Sequence, residues 1–207
     1  MTTICVGNRT GLVLAAVLAV SNLLATSTFA DGGQKPEVQR LFQSGDYDEA
    51  VQAAQNADPA SVYVAAQAMV KADQADRARE QFSILRASDN PAWQLVAQSG
   101  EALVGGDTGS AVTFARLATA LGGDNPFAFY QLGLAASKAN DWGTATAAFS
   151  RAIELKPDFA YAHYYAALAY QRVRRLPRAG EHFDAFLRLA PDAPERQAVQ
   201  AIMRTLK

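Results

Sequence analysis

A unit of 34 residues repeats along this chain, and it constrains the fold more than any other feature of the sequence. Shifting the sequence by 34 positions lays 126–157 on 160–191 without a gap and pairs Gly133 with Ala167. Weaker copies of the unit lie upstream, at spacings of 34, 33 and 28 residues. Repeats of this length are single supersecondary units that bury their apolar faces by stacking on their neighbours. The other matched pairs in the two best copies are Ala145 and Ala179, Phe149 and Phe183, and Pro157 and Pro191.

The residue types at these positions predict helices. Alanine is abundant and β-branched residues are sparse, which favours helix over strand. A glycine inside a helix costs about 0.5–1 kcal/mol relative to alanine, so Gly133 indicates a close contact with another helix. Pro157 and Pro191 predict helix ends, because the residue before a proline is pushed out of the α region. Asp107 and Asp141 are the predicted N-caps of the second helices in their units.

The pattern resembles the tetratricopeptide repeat, a helix–turn–helix family with a 34-residue unit. The resemblance is strong over 126–191, fair over 91–123 and weaker before that. It implies an all-α, right-handed α-solenoid of stacked hairpins with a C-terminal capping helix. The residues that carry it, and that are expected to pack the repeats together, are Leu132, Gly133, Ala145, Phe149, Ala152, Pro157, Tyr170, Ala179, Phe183 and Pro191, with Phe129 in the first helix.

This resemblance predicts a solenoid over 36–191, with its best-defined repeats at 126–159 and 160–193. Residues 192–207 are expected to cap the last repeat, through a helix at about 194–206 that has Pro194 in its first turn. The expected hairpins lie at about 36–57, 60–88, 91–121, 126–156 and 160–190.

The first thirty residues differ from the rest and predict a cleaved signal peptide. Arg9 precedes an apolar run over 11–25, and no acidic residue occurs before Asp31. Thr28-Phe29-Ala30 is the first choice of cleavage site and Ala25-Thr26-Ser27 the second. An uncleaved membrane anchor is the alternative, although the run is shorter than the roughly 20 residues of a comfortable span. Residues 31–35 are expected to form a short disordered leader.

The cysteine count agrees with export. Cys5 is the only cysteine of the 207 residues, so the mature chain is expected to hold together without disulfides. Because Cys5 precedes the apolar run, it is not placed as the acylated cysteine of a lipoprotein. The sequence therefore predicts a periplasmic or secreted bacterial protein with no membrane span in its mature part.

The sequence offers little for catalysis, metal binding or nucleic acid. Its two histidines, His163 and His182, lie 19 residues apart and in no metal-ligand spacing. His163 occupies a packing position of the repeat, so a structural role is expected for it. The formal net charge of −1 and the lack of phosphate-binding glycine motifs argue against nucleic acid or a nucleotide cofactor. The chain is predicted to be no enzyme and to need no cofactor or metal; an enzyme that uses His163 is the remote alternative.

The first helix of each unit should line a concave groove, which in the tetratricopeptide family commonly holds a peptide or a partner helix. Exposed aromatic residues on a concave surface are typical of binding sites. The alternative is that some of these rings fill the seams between repeats. The residues expected to face the groove are Trp93, Val96, Phe127, Tyr130, Leu134, Lys138, Tyr161, Tyr164, Leu168, Gln171 and Arg172.

A second candidate surface is a basic turn formed by Arg174, Arg175 and Arg178, next to Arg172. Residues 160–207 hold 8 Lys+Arg against 4 Asp+Glu, whereas 31–159 hold 10 against 16. Such a cluster could bind an acidic partner, although a solvated face is the plainer interpretation. The family's carboxylate clamp is not matched, since leucines stand at its two asparagine positions.

The function predicted from these features is a non-enzymatic scaffold or assembly factor of the cell envelope that binds a partner protein or peptide. A narrower version is an adaptor of a secretion, pilus or cytochrome-maturation machine. The alternative is a self-associating structural protein, a homo-oligomer whose groove takes the C-terminal helix of a neighbouring copy.

Overall fold

The computed structural model describes residues 36–206 and forms eleven helices and no strand within them, which confirms the all-α class. The helices are α1 Glu37–Ser44, α2 Tyr47–Ala53, α3 Pro59–Lys71, α4 Ala75–Arg86, α5 Pro91–Val104, α6 Thr108–Leu121, α7 Pro126–Lys138, α8 Trp142–Leu155, α9 Ala160–Arg172, α10 Leu176–Leu189 and α11 Arg196–Thr205.

Consecutive helices pack against each other along the whole series, which is the arrangement of a solenoid. The first helices of the hairpins also contact one another, α1 with α3, α5 with α7, and α7 with α9. These odd-numbered helices therefore form an inner layer. The even-numbered helices form the outer layer, and α11 packs on α10 at the end.

The helix starts follow from local capping chemistry. The side chains of Asp107 and Asp141 accept hydrogen bonds from the backbone N–H groups of Ser110 and Thr144, as predicted for N-caps. Hydrogen bonding from the side chains of Ser110 and Thr144, and then from their backbone N–H groups, lowers the pKa of both carboxyl groups. The inner helices α3, α5 and α7 use Asp or Asn caps followed by proline at the first helical position.

The helix ends show the effect of the two prolines. Lys156 precedes Pro157 and has φ −141° and ψ 86°, outside the helical region. Ala190 precedes Pro191 and has φ −132° and ψ 71°. Helices α8 and α10 therefore end at Leu155 and Leu189, two residues before each proline, because the residue directly before a proline disfavours the α conformation.

Glycines on inner helices receive phenylalanine rings from outer helices. A Cβ atom at Gly133 would lie 2.4 Å from Cε1 of Phe149, and one at Gly100 would lie 2.3 Å from Cε1 of Phe82. Phe149 comes from the same hairpin as its glycine, whereas Phe82 comes from the preceding hairpin. The hairpin of Gly100 has Ala115 where the second, fourth and fifth hairpins have phenylalanine, and the ring that meets Gly100 is Phe82 of the preceding hairpin.

The C-terminal segment departs from the expected helix over 194–206. Helix α11 begins at Arg196, and Pro194 lies before it instead of in its first turn. Cγ of Pro194 is 2.8 Å from where a Cβ at Gly45 would stand, so this segment packs on the first hairpin. Gly45 has φ +90°, a conformation that glycine adopts without strain.

Candidate functional site

The concave side of the inner layer is largely filled near the amino ends of its helices. Tyr130 and Tyr161 are only 2% and 1% exposed, so the expectation that they face an open groove is wrong. The ring of Tyr63 on α3 lies 6.3 Å from that of Tyr130 on α7. The ring of Phe42 on α1 lies 4.6 Å from that of Tyr161 on α9. Inner helices two or four hairpins apart thus meet directly, which buries rings that a wider superhelix would expose.

The other aromatic residues expected in the groove belong to the margin of this cluster. Trp93 and Phe127 are half-buried, with ring centroids 5.6 Å apart. Tyr164 is half-buried beside Phe186 at 5.1 Å. Val96 is fully buried and faces no groove. Most of these side chains therefore fill the seams between repeats, which is the alternative to a binding role.

A buried polar chain holds the inner helices in register. The hydroxyl of Tyr63 donates to Oε1 of Gln131 at 2.7 Å, and Gln67 donates to the same oxygen at 3.3 Å. Nε2 of Gln131 donates to the hydroxyl of Ser99 at 3.0 Å, which donates to the carbonyl of Ala111. Gln131 is fully buried and satisfied on both sides of its amide. Because buried polar groups are costly when unpaired, this chain favours one alignment of α3, α5 and α7.

An open groove remains at the carboxyl ends of the inner helices, and we call it the carboxyl-end groove. It consists of a cavity of about 390 Å³ beside α3, α5 and α7 and one of about 580 Å³ beside α9. The two cavities share Ser137 and Tyr165. Leu134 lines the first, and Leu168 lines the second. The groove is therefore continuous and mostly apolar.

One position of the repeat forms a row along this groove. Val70, Val104, Lys138 and Arg172 follow each other at 34-residue spacing and occupy the last turns of α3, α5, α7 and α9. All four line the two cavities. The row changes from apolar to cationic along the solenoid. Val70 is 42% exposed, so the apolar end of the row is open to solvent.

Sequence reasoning finds part of this groove and misses part of it. The repeat assigns Lys138, Gln171 and Arg172, together with both leucines, to a groove, and the structure places all of them here. Tracing the position of Lys138 back by 34 residues would have added Val104, and tracing that of Gln171 back by 34 and by 68 would have added Ser137 and Leu103. The lining residues missed from the sequence are Gln67, Val70, Phe82, Gly100, Leu103, Val104, Gln131, Ser137, Trp142, Tyr165 and Ala169.

The cations at the far end of the groove have few intramolecular partners. Within residues 36–206, nine lysines and arginines form ion pairs with carboxylates, but Lys138, Arg174 and Arg175 form none. The guanidinium of Arg172 lies over the ring of Trp142 at 5.4 Å from its centroid. Arg178, by contrast, pairs with Glu181 at 3.2 Å. The basic turn thus keeps two arginines that are free to pair with an acidic ligand.

The turn itself is strained at Arg174. This residue has φ 57°, in the left-handed region that bulky side chains rarely adopt. The equivalent turns of the three preceding hairpins carry Asp73, Gly106 and Asn140, also at positive φ. Asp, Gly and Asn adopt this conformation most readily. An arginine here costs stability, and such outliers occur mostly where function requires the side chain.

An ion pair joins the second hairpin to the segment that follows the last hairpin. The ammonium of Lys71 on α3 donates to Glu195, which follows α10, and the hydroxyl of Tyr161 donates to the other carboxylate oxygen at 2.8 Å. Although burial opposes it, these two donors hold the pKa of Glu195 below its usual value. Burial and the nearby carboxylate raise the pKa of Tyr161, which stays protonated. The contact between Lys71 and Glu195 joins residues 124 positions apart.

Two general findings limit the chemistry of the site. Among residues 36–206, no group of three or more His, Cys, Asp or Glu side chains is placed to hold a metal ion. In the same part of the chain, no helix combines the length and the apolarity that crossing a bilayer requires. The predicted signal peptide and leader lie outside the described residues.

Comparison with known proteins agrees with this architecture. Residues 130–194 match the family model of the tetratricopeptide repeat. TTC0263, a thermophilic tetratricopeptide protein of Thermus thermophilus, is 19% identical with a TM-score of 0.58, over 82% of this chain and 94% of that one. YrrB, described as having an unusual peptide-binding site, is 20% identical with a TM-score of 0.52, over 80% of this chain and 84% of that one.

A third structure is the first tetratricopeptide domain of Spaghetti (RPAP3), bound to the HSP90 peptide SRMEEVD. It is 17% identical with a TM-score of 0.52, over 57% of this chain and 95% of that one. A search of curated proteins gave no match. At these identities the likeness shows the fold alone. The described chain is therefore an α-solenoid of tetratricopeptide type, and residues 130–194 are its family-matched repeats.

Proposed function

We propose that this protein is a non-enzymatic scaffold that binds a peptide or helix of a partner protein in the carboxyl-end groove. The observation that carries the proposal is the row of Val70, Val104, Lys138 and Arg172 along one continuous groove. An apolar surface that ends in cations suits a partner segment with apolar side chains followed by acidic ones. Tetratricopeptide domains bind peptides in other proteins, as the structure with the HSP90 peptide illustrates.

The basic turn extends this site in the same proposal. Arg174 and Arg175 follow directly after the cationic end of the row and have no carboxylate partner among the described residues. Strain at Arg174 supports a role that asparagine or glycine could not fill. A partner segment leaving the groove would meet these arginines next.

We further propose that the protein works in the bacterial cell envelope as an assembly factor, exported by a signal peptide over residues 1–30. Support comes from the sequence of that segment alone, with its single Arg9 and its apolar run. The test is the mature N-terminus of protein purified from its own cells, read by mass spectrometry. A chain that begins at Asp31 or Thr28 supports export, whereas retention of residues 1–30 contradicts it.

Photocrosslinking tests the groove directly. A photoreactive residue at Lys138 should crosslink a partner in the native cell, and Val70→Asp should abolish that crosslink by placing a charge on the apolar end. The matched control is Leu117→Asp, since Leu117 is 49% exposed on α6 of the outer layer. An equal crosslink in all three proteins would refute the groove as the binding site. A second copy of the chain as the crosslinked molecule would favour the self-associating alternative.

A further inference from the structure

The two histidines of the chain, remote in sequence, face each other across the last full hairpin. Nδ1 of His163 on α9 lies 3.1 Å from Nδ1 of His182 on α10. Nε2 of His163 lies 3.1 Å from the carbonyl oxygen of Pro157. A carbonyl oxygen only accepts hydrogen bonds, so Nε2 of His163 carries its proton. Nδ1 of His163 is then the lone-pair nitrogen, and it accepts the bond from Nδ1–H of His182.

This arrangement has the features of a metal-binding histidine pair. Histidines that bind metals usually donate their second ring N–H to a carbonyl or carboxylate, which fixes the tautomer and the ring. Pro157 provides that contact for His163. The ring of His182 is held by stacking on Tyr170, with centroids 5.3 Å apart and planes 3° from parallel. Each imidazole thus has a second contact, besides the hydrogen bond between them, that restricts its ring.

The separation of the nitrogens fits a first-row transition metal. With Zn–N bonds of about 2.0–2.1 Å, two ligands of a tetrahedral ion lie about 3.3 Å apart. Two adjacent ligands of a square-planar ion at about 2.0 Å lie about 2.8 Å apart. The observed 3.1 Å falls between these values. An ion at these bond lengths would lie beside the line that joins the two nitrogens, so both rings would turn towards it, and the Nδ1 proton of His182 would move to Nε2.

We propose that His163 and His182 form a binding site for Zn²⁺ or Cu²⁺ that joins α9 to α10. Water would complete the coordination, since among the described residues no third His, Cys, Asp or Glu is placed with the pair. Imidazole ligands suit both ions, and the general affinity order places Cu²⁺ above Zn²⁺. This site is separate from the groove and does not depend on a partner protein.

The charges around the pair favour neutral imidazoles. Burial lowers the pKa of both rings, and the pKa of His182 falls to about 4. The charge of Arg188 lowers the pKa of His163 further. His163 and Arg178 lower the pKa of His182, while Glu181 raises it. Both arginines are paired with carboxylates on α10, at 3.4 Å and 3.2 Å. Neutral imidazole is the form that binds metals, so the site is ready to bind at neutral pH.

Calorimetric titration of the full chain with ZnCl₂ tests the proposal, with Cys5→Ser in every protein to remove the competing thiol. We expect one site with Kd below about 100 µM. His163→Gln and His182→Gln should each weaken it at least tenfold. Zn²⁺ at 100 times Kd should raise Tm by roughly 5–10 °C, because the ion binds only the folded hairpin. Absence of binding, or equal binding by either variant, would overturn the proposal.

Two further measurements distinguish this site from chance binding. Displacement of Zn²⁺ by excess Mg²⁺ would indicate carboxylate ligands and contradict the assignment. If the two variants fail to fold, NMR spectroscopy of the parent protein tests the proposal instead. Zn²⁺ must shift the imidazole NMR signals of both histidines in the parent protein, and unchanged signals would refute the site.

Discussion

Replacing Gly133 by alanine tests the packing of the repeats most directly. The added Cβ would lie 2.4, 2.5 and 2.7 Å from three ring carbons of Phe149. Real Cβ contacts are longer, so either α7 or the ring must move. Phe149 is fully buried, and Tyr130 and Tyr165 flank its ring at 5.9 Å and 6.0 Å. The ring therefore has no free space into which it could move.

Two opposing terms set the magnitude. Alanine is the better helix former, which favours the variant by about 0.5–1 kcal/mol. Forcing one extra carbon into a packed core costs about 1–3 kcal/mol. The second term is larger because the contact is with a confined ring, so we expect a net destabilisation of about 1–2 kcal/mol. This corresponds to a fall in Tm of roughly 2–8 °C for a domain of this size.

Urea denaturation followed by circular dichroism measures the effect. Gly180→Ala on α10 is the matched control, because nothing lies within 4 Å of its added Cβ, and it should stabilise by up to about 1 kcal/mol. In a double-mutant cycle, Phe149→Leu should relieve part of the cost of Gly133→Ala. Equal stabilisation of the Gly133 and Gly180 variants would refute the close-contact argument.

Four other changes should have measurable effects. Gln131→Leu leaves a buried tyrosine hydroxyl without its acceptor and should lower the free energy of unfolding by about 1–3 kcal/mol in urea; no loss would show that the polar chain is dispensable. Glu195→Gln weakens the pair with Lys71 and should cost about 1–3 kcal/mol, with no effect expected from the same change at an exposed glutamate. Folding lowers the pKa of His182 from 6.5 to about 4, so between these two pH values the unfolded chain binds more protons than the folded chain. The free energy of unfolding should therefore fall as the pH is lowered from 6.5 to 4, and His182→Gln should reduce this dependence on pH. Arg174→Gly removes a left-handed arginine and should raise stability by about 1 kcal/mol while weakening partner binding; weaker folding would show that the turn is unstrained.

The periodic features of the chain were accessible from the sequence. Gly133, Ala145 and Phe149 recur because close backbone approach and wedge filling are the same in every unit, and a sequence records such local requirements at fixed spacing. Pro157 and Pro191 end their helices through a steric effect on the residue before them, which needs no knowledge of the rest of the fold.

The proposed binding surface was accessible from the sequence only in part. The position of Lys138 in its unit correctly indicated a groove, because the last turns of the inner helices stay at the surface. Tyr130 and Tyr161 occupy equally regular positions, yet they are buried. Their exposure depends on how tightly the solenoid winds, and that curvature sums small rotations over all the repeats.

The sequence by itself therefore determined the unit, its helix ends and the stacking of five hairpins, because each of these depends on residues within about one repeat of each other. Only the tertiary structure decided which residues from distant parts of the sequence come into contact. It placed Glu195 on Lys71 and Phe42 against Tyr161, and it left the carboxyl-end groove open while filling the aromatic side. Contacts of this kind arise from the accumulated winding of the solenoid, which no single 34-residue unit contains.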